Sequence, residues 1–312
     1  MVRYRPMLPL LALVFAAACA PGDDAAETDT AARTAEVAPP QDAPVAVSDT
    51  PEDSVIFEQT IAWVRESRAD TLPIGELTAA IAQRFVGAPY TPGLLEVPQT
   101  EQLVVNLREF DCVTYVEQML AIARAVAADE PTYARFRDEL RRIRYRAGQL
   151  AGYPSRLHYF SEWISDNDAK GVVTNITQQL GGVRDTTGID FMSQHIPSYR
   201  QLADSVNLAA IRDKEAELSS FPRYAIAEDR IASIADGIQT GDVIAATSTL
   251  PGLDIAHTGF AIRIDGRLHL MHAPLVGSVV EISERPLADR ILTIQAQDGI
   301  MVARPLSPAG ER

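Results

Sequence analysis

The chain carries two cysteines among its 312 residues, Cys19 and Cys112. That scarcity excludes a framework of structural disulfides and a structural zinc site of the usual cysteine-rich kind. Basic residues are also in deficit: 28 Lys and Arg face 42 Asp and Glu, a net charge of −14. With no basic run to offset it, this balance argues against nucleic acid as a partner. Beyond the N-terminus no hydrophobic stretch approaches the length of a membrane span. No repeat at solenoid periods is present, and nothing in the sequence implies a cofactor or a metal.

What is there begins with a targeting signal. Arg3 and Arg5 precede an apolar run, residues 7–18, too short for a permanent anchor. Small residues at 16–18 sit directly before Cys19, and the whole resembles a bacterial lipoprotein signal in which Cys19 becomes the lipidated first residue. Ala16 stands where leucine is usual. The sequence thus predicts a signal peptide over 1–19 and a protein of the bacterial cell envelope, periplasmic and lipid-anchored to a membrane, with ordinary signal cleavage that removes Cys19 or leaves it a free thiol as the alternative. Residues 20–52 are rich in Ala, Pro, Asp, Glu and Thr and nearly lack large apolar groups, so they read as a disordered tether. One domain over 53–306 follows, with a short tail at 307–312. Its length and the 46% hydrophobic content suit a single substantial core.

Helical spacing of apolar residues predicts helices over 55–67 and 75–86. A third starts at Cys112, with Asp111 as its N-cap, and stops at Asp129-Glu130-Pro131. A basic amphipathic helix over 132–149 and a short one over 157–165 come next. After residue 238 the pattern becomes short β runs: 241–246, 256–264, 267–272, 278–282 and 299–303. Asp265-Gly266 between two of them is a strong hairpin signal. Helices first and strands later predict an α+β fold with a small antiparallel sheet.

That order puts a lone thiol on a helix and histidines on a facing sheet, the sequence form of a cysteine–histidine nucleophilic site. A helix N-terminus and a nearby imidazolium both lower a thiol pKa, favouring the reactive thiolate. Of the five histidines, His257 precedes Thr258-Gly259, where a missing side chain leaves room at its face. His269 and His272 differ by an odd number, so they fall on opposite faces of one strand. His272, directly before Ala273-Pro274, is the better orienting partner for His257. His195 and His269 read as bystanders.

Four segments carry a family resemblance: Phe110-Asp111-Cys112-Val113-Thr114-Tyr115-Val116-Glu117, Ser155-Arg156-Leu157-His158-Tyr159-Phe160-Ser161-Glu162-Trp163-Ile164, Ala256-His257-Thr258-Gly259-Phe260 and Leu270-Met271-His272-Ala273. Together they resemble the N-acetylmuramoyl-L-alanine amidase-like branch of the NlpC-type cysteine hydrolases, a papain-like superfamily. The first and third segments point only to the superfamily, and the Ser-Arg-Leu-His-Tyr block points to the branch. The resemblance implies a papain-like α+β fold and a Cys–His–polar triad: Cys112 as nucleophile, His257 as base, His272 as third member. It implies cleavage of the amide between N-acetylmuramic acid and L-alanine in peptidoglycan or muropeptides. Asp111, Ser155, Arg156, His158 and Tyr159 become candidate substrate contacts, Arg156 because a guanidinium binds a carboxylate bidentately. Two alternatives stand beside this reading: an endopeptidase of the same superfamily cutting γ-D-glutamyl-diaminopimelate bonds, and a noncatalytic envelope lipoprotein that binds peptidoglycan.

Overall fold

The computed structural model describes residues 45–308. The signal segment with Cys19, the tether as far as residue 44 and the tail from 309 lie outside the described residues.

The first described element moves the expected end of the tether. Val47–Ser48 (β1) pairs in parallel with Leu103–Val104 (β2), and Asp49 accepts the Tyr133 hydroxyl at 2.9 Å. The folded body therefore starts ahead of residue 53. A strand this short carries no periodicity for a sequence to display.

Pro51–Ser67 (α1) starts with proline at its first turn and a capping box between Thr50 and Asp53, and buries Phe57, Ile61 and Val64 along one stripe. Ile74–Gln83 (α2) buries Leu77 and Ile81. Cys112–Ala127 (α3) is buried without a break from Thr114 to Ala125, so it is the central helix and not a surface one. Tyr133–Arg144 (α4) packs Phe136, Leu140 and Ile143 against it. It ends earlier than residue 149, because Ala147 takes a left-handed φ of 50° within a tight turn. Phe160–Ala169 (α5) begins after Tyr159 and stacks Phe160 on Trp163.

The sheet is larger than the small one expected. Among the described residues it has eight antiparallel strands: Val173–Asn175 (β3), Val183–Asp185 (β4), Arg223–Ala227 (β5), Val243–Ser248 (β6), Ile255–Ile264 (β7), Arg267–His272 (β8), Glu281–Ile282 (β9) and Gln297–Pro305 (β10). They run in the order β4-β5-β10-β6-β7-β8-β9, with β3 also paired to β10. Between the strands lie Phe191–Gln194 (α6), Ser205–Ser220 (α7), Ile231–Ile234 (α8) and Leu287–Leu292 (α9). The strands β3 to β5 and α7 had no sequence signal. The 16 residues of α7 bury only Ile211, Glu215 and Leu218, too few to draw an apolar stripe.

Alternation along β7 and β8 sorts side chains between two cores. Phe260, Ile262 and Met271 face the helices, with Phe260 edge-on to Tyr115 of α3 at 5.8 Å. Ala261, Leu268 and Leu270 face Leu287 and Ile291 of α9. The hairpin turns at Asp265-Gly266, both with positive φ (49° and 78°), as a type I′ turn requires. At Gly241 (φ +88°) a Cβ would lie 1.9 Å from the Gly75 carbonyl oxygen, so only glycine lets the start of α2 lie against the entry to β6.

Candidate active site

Asp111 fixes where α3 begins. Its Oδ1 accepts the Thr114 N–H at 2.7 Å and the Thr114 hydroxyl at 2.9 Å, while Thr114 Oγ1 accepts the Asp111 N–H at 2.9 Å. This reciprocal cap holds Cys112 at the first helical position. Asp111 is thus committed to the helix, which accounts for it without any role as a ligand for an amino group.

The Cys112 thiol is half-buried, and the backbone N–H of Thr258, the residue directly after His257, favours its thiolate. Its own N–H and that of Val113 also favour the thiolate. Burial, helped by the neighbouring Asp111 carboxylate, outweighs all three and pushes the thiol up to about 12. The sequence-based expectation of a lowered thiol pKa is therefore corrected: the helix terminus is present, but desolvation of the anion is the larger effect.

His257 and His272 meet as expected. His257 Nε2 and His272 Nδ1 are 2.8 Å apart, and the rings are edge-to-face at 84°. Gly259 makes this possible, since a Cβ there would lie 2.8 Å from His272 Cβ and 2.6 Å from the Met271 carbonyl oxygen. Room is indeed left by the missing side chain, and it is His272 that uses it. Burial first, and then the Arg290 guanidinium, lower His257 to about 3. His272 falls to about 2 from burial, then from His257 and Arg290. The thiol and both imidazoles are thus neutral at rest. His269 falls on the other face, its Nδ1 held by the Ser283 carbonyl at 2.8 Å. His195 lies apart, its Nδ1 on the Phe191 carbonyl at 2.7 Å.

Tyr90 belongs to the site and carries no signal in the sequence. The Cys112 thiol and the Asp111 carboxylate, after burial, raise its hydroxyl to about 12. Its place comes from three backbone bonds: Tyr90 N–H to Ser278 at 2.8 Å, Thr91 N–H to Phe110 at 2.9 Å, and Phe110 N–H to Pro89 at 3.0 Å. This strut ties the approach to Cys112 to the loop between β8 and β9, a tertiary arrangement with no local pattern.

The other expected substrate contacts are placed differently. Arg156 is 3% exposed, with Nη2 on Glu96 Oε1 at 2.5 Å and Nε 3.5 Å from Glu101 Oε1. Its guanidinium binds carboxylates as expected, but they are the chain's own. The buried Tyr159 donates its hydroxyl to Glu215 at 2.7 Å and accepts the Met192 N–H at 2.9 Å. His158 Nε2 is held by the Tyr153 carbonyl at 2.9 Å, and burial lowers its pKa well below the ordinary range. Ser155 closes a local turn through Gly152 and Ala151. In this structure the Ser-Arg-Leu-His-Tyr block joins α5 to the 96–101 loop and to α7, its polar groups bonded within the fold.

With the fold, the helix-terminal thiol and the histidine pair described, likeness to known proteins becomes informative. The AmiA-like family, N-acetylmuramoyl-L-alanine amidase-like, matches residues 80–300. The chain belongs to this family. An N-acetylmuramoyl-L-alanine amidase from Bacteroides uniformis superposes with a TM-score of 0.72 at 33% identity, covering 75% of this chain and 99% of that one. A Bacteroides fragilis protein named a xylanase gives 0.68 at 36% identity, covering 72% and 98%. A Legionella pneumophila protein of the DUF1460 family shares the fold, with a TM-score of 0.59 at 21% identity over 83% of this chain and 99% of that one. No match is found among curated proteins. The mixed helix and antiparallel-sheet architecture is that of amidase-like proteins, and the family implies a peptidoglycan-type substrate.

Proposed function

We propose that this AmiA-like protein is a cysteine amidase of papain-like, NlpC-type ancestry that cuts the amide between N-acetylmuramic acid and L-alanine in peptidoglycan or muropeptides. The observation that carries the mechanism is the 2.8 Å His257–His272 contact, together with a helix-terminal thiol whose thiolate the Thr258 N–H, next to His257, favours. The bond assignment rests on the family, since Arg156 is occupied.

His257 Nε2 is engaged by His272, so Nδ1 is the ring nitrogen left for the thiol. As Cys112 Sγ attacks the lactyl carbonyl carbon, its proton passes to His257 Nδ1. When the tetrahedral intermediate collapses, the C–N bond breaks and the imidazolium gives that proton to the departing L-alanine nitrogen. Water, deprotonated by His257, then hydrolyses the thioester to the lactyl carboxylate and restores the thiol. With the resting pair neutral, proton transfer accompanies attack, and thiolate is not stored beforehand.

A fragment analysis tests the bond. After digestion of purified muropeptides with residues 45–312, the new amine should belong to L-alanine and the sugar should keep an intact lactyl carboxylate. A released fragment beginning with diaminopimelate would instead establish the endopeptidase and leave only the hydrolase class standing. The name xylanase on one relative implies glycosidic cleavage, for which two carboxyl groups flanking the bond are usual. Asp111, the carboxylate next to the thiol, is engaged as a helix cap.

Among the histidines, His257→Ala should lower kcat by roughly 10²- to 10⁴-fold, the contribution of a general base. His272→Ala should lose no more than that, because it acts through His257. His269→Ala removes one hydrogen bond, about 1 kcal/mol of stability, and should leave turnover near wild type. Steady-state kinetics on one muropeptide rank all three, and His269→Ala as the more damaging of the β8 pair would overturn the face assignment.

We further propose that Cys19 is lipidated and that the tether holds the enzyme at a membrane on the periplasmic side. The apolar run before Cys19 and the Ala/Pro/Asp-rich stretch after it support this reading. Among the described residues no helix is long and apolar enough to cross a membrane.

A further inference from the structure

His272 has a second ring nitrogen that the triad leaves unexplained. Its side chain is 1% exposed, and Nε2 is buried with no hydrogen-bond partner, while Nδ1 faces His257. A buried nitrogen of this kind costs free energy unless something accepts or donates at it. The Glu281 carboxylate faces it, its Oε1 3.7 Å away. Glu281 stands directly opposite His272 in the β8–β9 register. Space for it is left by Gly277, where a Cβ would come within 3.2 Å of Glu281 Oε2. Arg290 of α9 completes the surroundings: it disfavours the charged form of both imidazoles, and Glu281 in turn favours the charged Arg290.

We infer that Glu281 is a positioning residue that selects the tautomers of the histidine pair, so that the chain runs Cys112–His257–His272–Glu281. The inference rests on the triad proposed above. A base at His257 Nδ1 needs its lone pair there, which puts the ring proton on Nε2. That proton is donated to His272 Nδ1, which must then be an acceptor, so the His272 proton lies on Nε2. This is the buried position facing Glu281, and the carboxylate is the acceptor it lacks. Glu281 is 43% exposed, so a small side-chain rotation closes 3.7 Å to hydrogen-bond distance. Without the carboxylate, His272 is free to carry its proton on Nδ1 and donate to His257 Nε2. His257 then holds its own proton on Nδ1 and cannot accept one from the thiol. The same carboxylate favours the imidazolium that forms during attack and opposes Arg290.

Glu281→Gln and Glu281→Ala test this alongside the wild-type domain, residues 45–312. Nitrogen-15 NMR of the histidine rings reads the tautomers without any substrate, so its answer does not depend on which bond is cut. The wild type should show His257 protonated at Nε2. In both variants a substantial fraction should move to Nδ1, with kcat lower by roughly 10- to 100-fold, as for loss of an orienting outer partner, and KM unchanged. The acid limb of kcat/KM should move to lower pH, because no carboxylate then faces the imidazolium. Thermal unfolding within a degree or two of wild type would show that the loss is not structural. Unchanged tautomers with turnover within about twofold in Glu281→Ala, or a loss confined to KM, would overturn the inference. A wild type inactive on muropeptides would sink the proposed function alone, since the ring shifts still decide the role of Glu281.

Discussion

Cys112→Ser is expected to abolish hydrolysis, by about 10⁴-fold or more, while leaving the fold intact. The oxygen is close in size to sulfur, and the Asp111–Thr114 cap that positions it does not involve the side chain at 112. Chemistry is what changes. A hydroxyl is several pKa units less acidic than a thiol, and this site already works against the anion, since burial pushes the thiol up to about 12. His257, a weak base lowered to about 3, can take a proton from sulfur only as the new bond forms. Asking it to take one from oxygen adds to a barrier that no extra donor in the site offsets. Activity on muropeptides and alkylation by iodoacetamide should vanish together in Cys112→Ser, with a circular dichroism spectrum matching wild type. Turnover within tenfold of wild type would remove Cys112 as the nucleophile. Because Cys112 is the cysteine within residues 45–312, alkylation reads that one thiol.

The parts of the fold that announced themselves are those where a local rule and the tertiary structure agree. The helices α1 to α3 follow apolar spacing, and α3 adds Asp111 as its cap. The β7–β8 hairpin combines alternation with Asp265-Gly266. His272 was separable from His269 by parity alone, because a strand side chain has only two directions to take. Where the decision is made by a distant partner, the sequence is silent. Tyr90 reaches Cys112 through backbone bonds to Phe110 and Ser278. Glu281 reaches His272 across a two-residue strand whose register a loop determines. Arg156 shows the same limit from the other side. Its guanidinium meets Glu96 and Glu101, which lie some 60 residues earlier, and nothing in the sequence pairs them. The thiol pKa was misjudged for a related reason: the helix terminus is visible in sequence, whereas the burial that outweighs it is produced by the sheet packed across it.

The largest stability effect is expected from a buried pair that ties the thiol's helix to α4. Glu117 of α3 and Arg144 of α4 are each 1% exposed, with Arg144 Nε 2.6 Å from Glu117 Oε2 and Arg144 Nη1 donating to the Val104 carbonyl at 2.5 Å. Burial raises the Glu117 pKa from its ordinary value, and the Arg144 charge opposes that rise. Two desolvated ions of opposite sign are tolerable together and costly apart. Glu117→Leu leaves the Arg144 cation buried without its partner, which should cost about 3–5 kcal/mol. For a domain of this size that corresponds to a fall in Tm of roughly 10 °C. Arg144→Met strands the carboxylate and also frees the Val104 carbonyl, so it should cost at least as much. The double variant Glu117→Leu with Arg144→Met removes both charges together and should recover most of the loss, less the cost of the freed Val104 carbonyl. Thermal unfolding of the wild type, the two single variants and the double variant measures the coupling. If each single change costs under 1 kcal/mol, the pair is not desolvated in solution and the tight α3–α4 contact is wrong. If the double variant is no better than the singles, packing around the two side chains, and not their charges, is what holds α4 against the helix that carries Cys112.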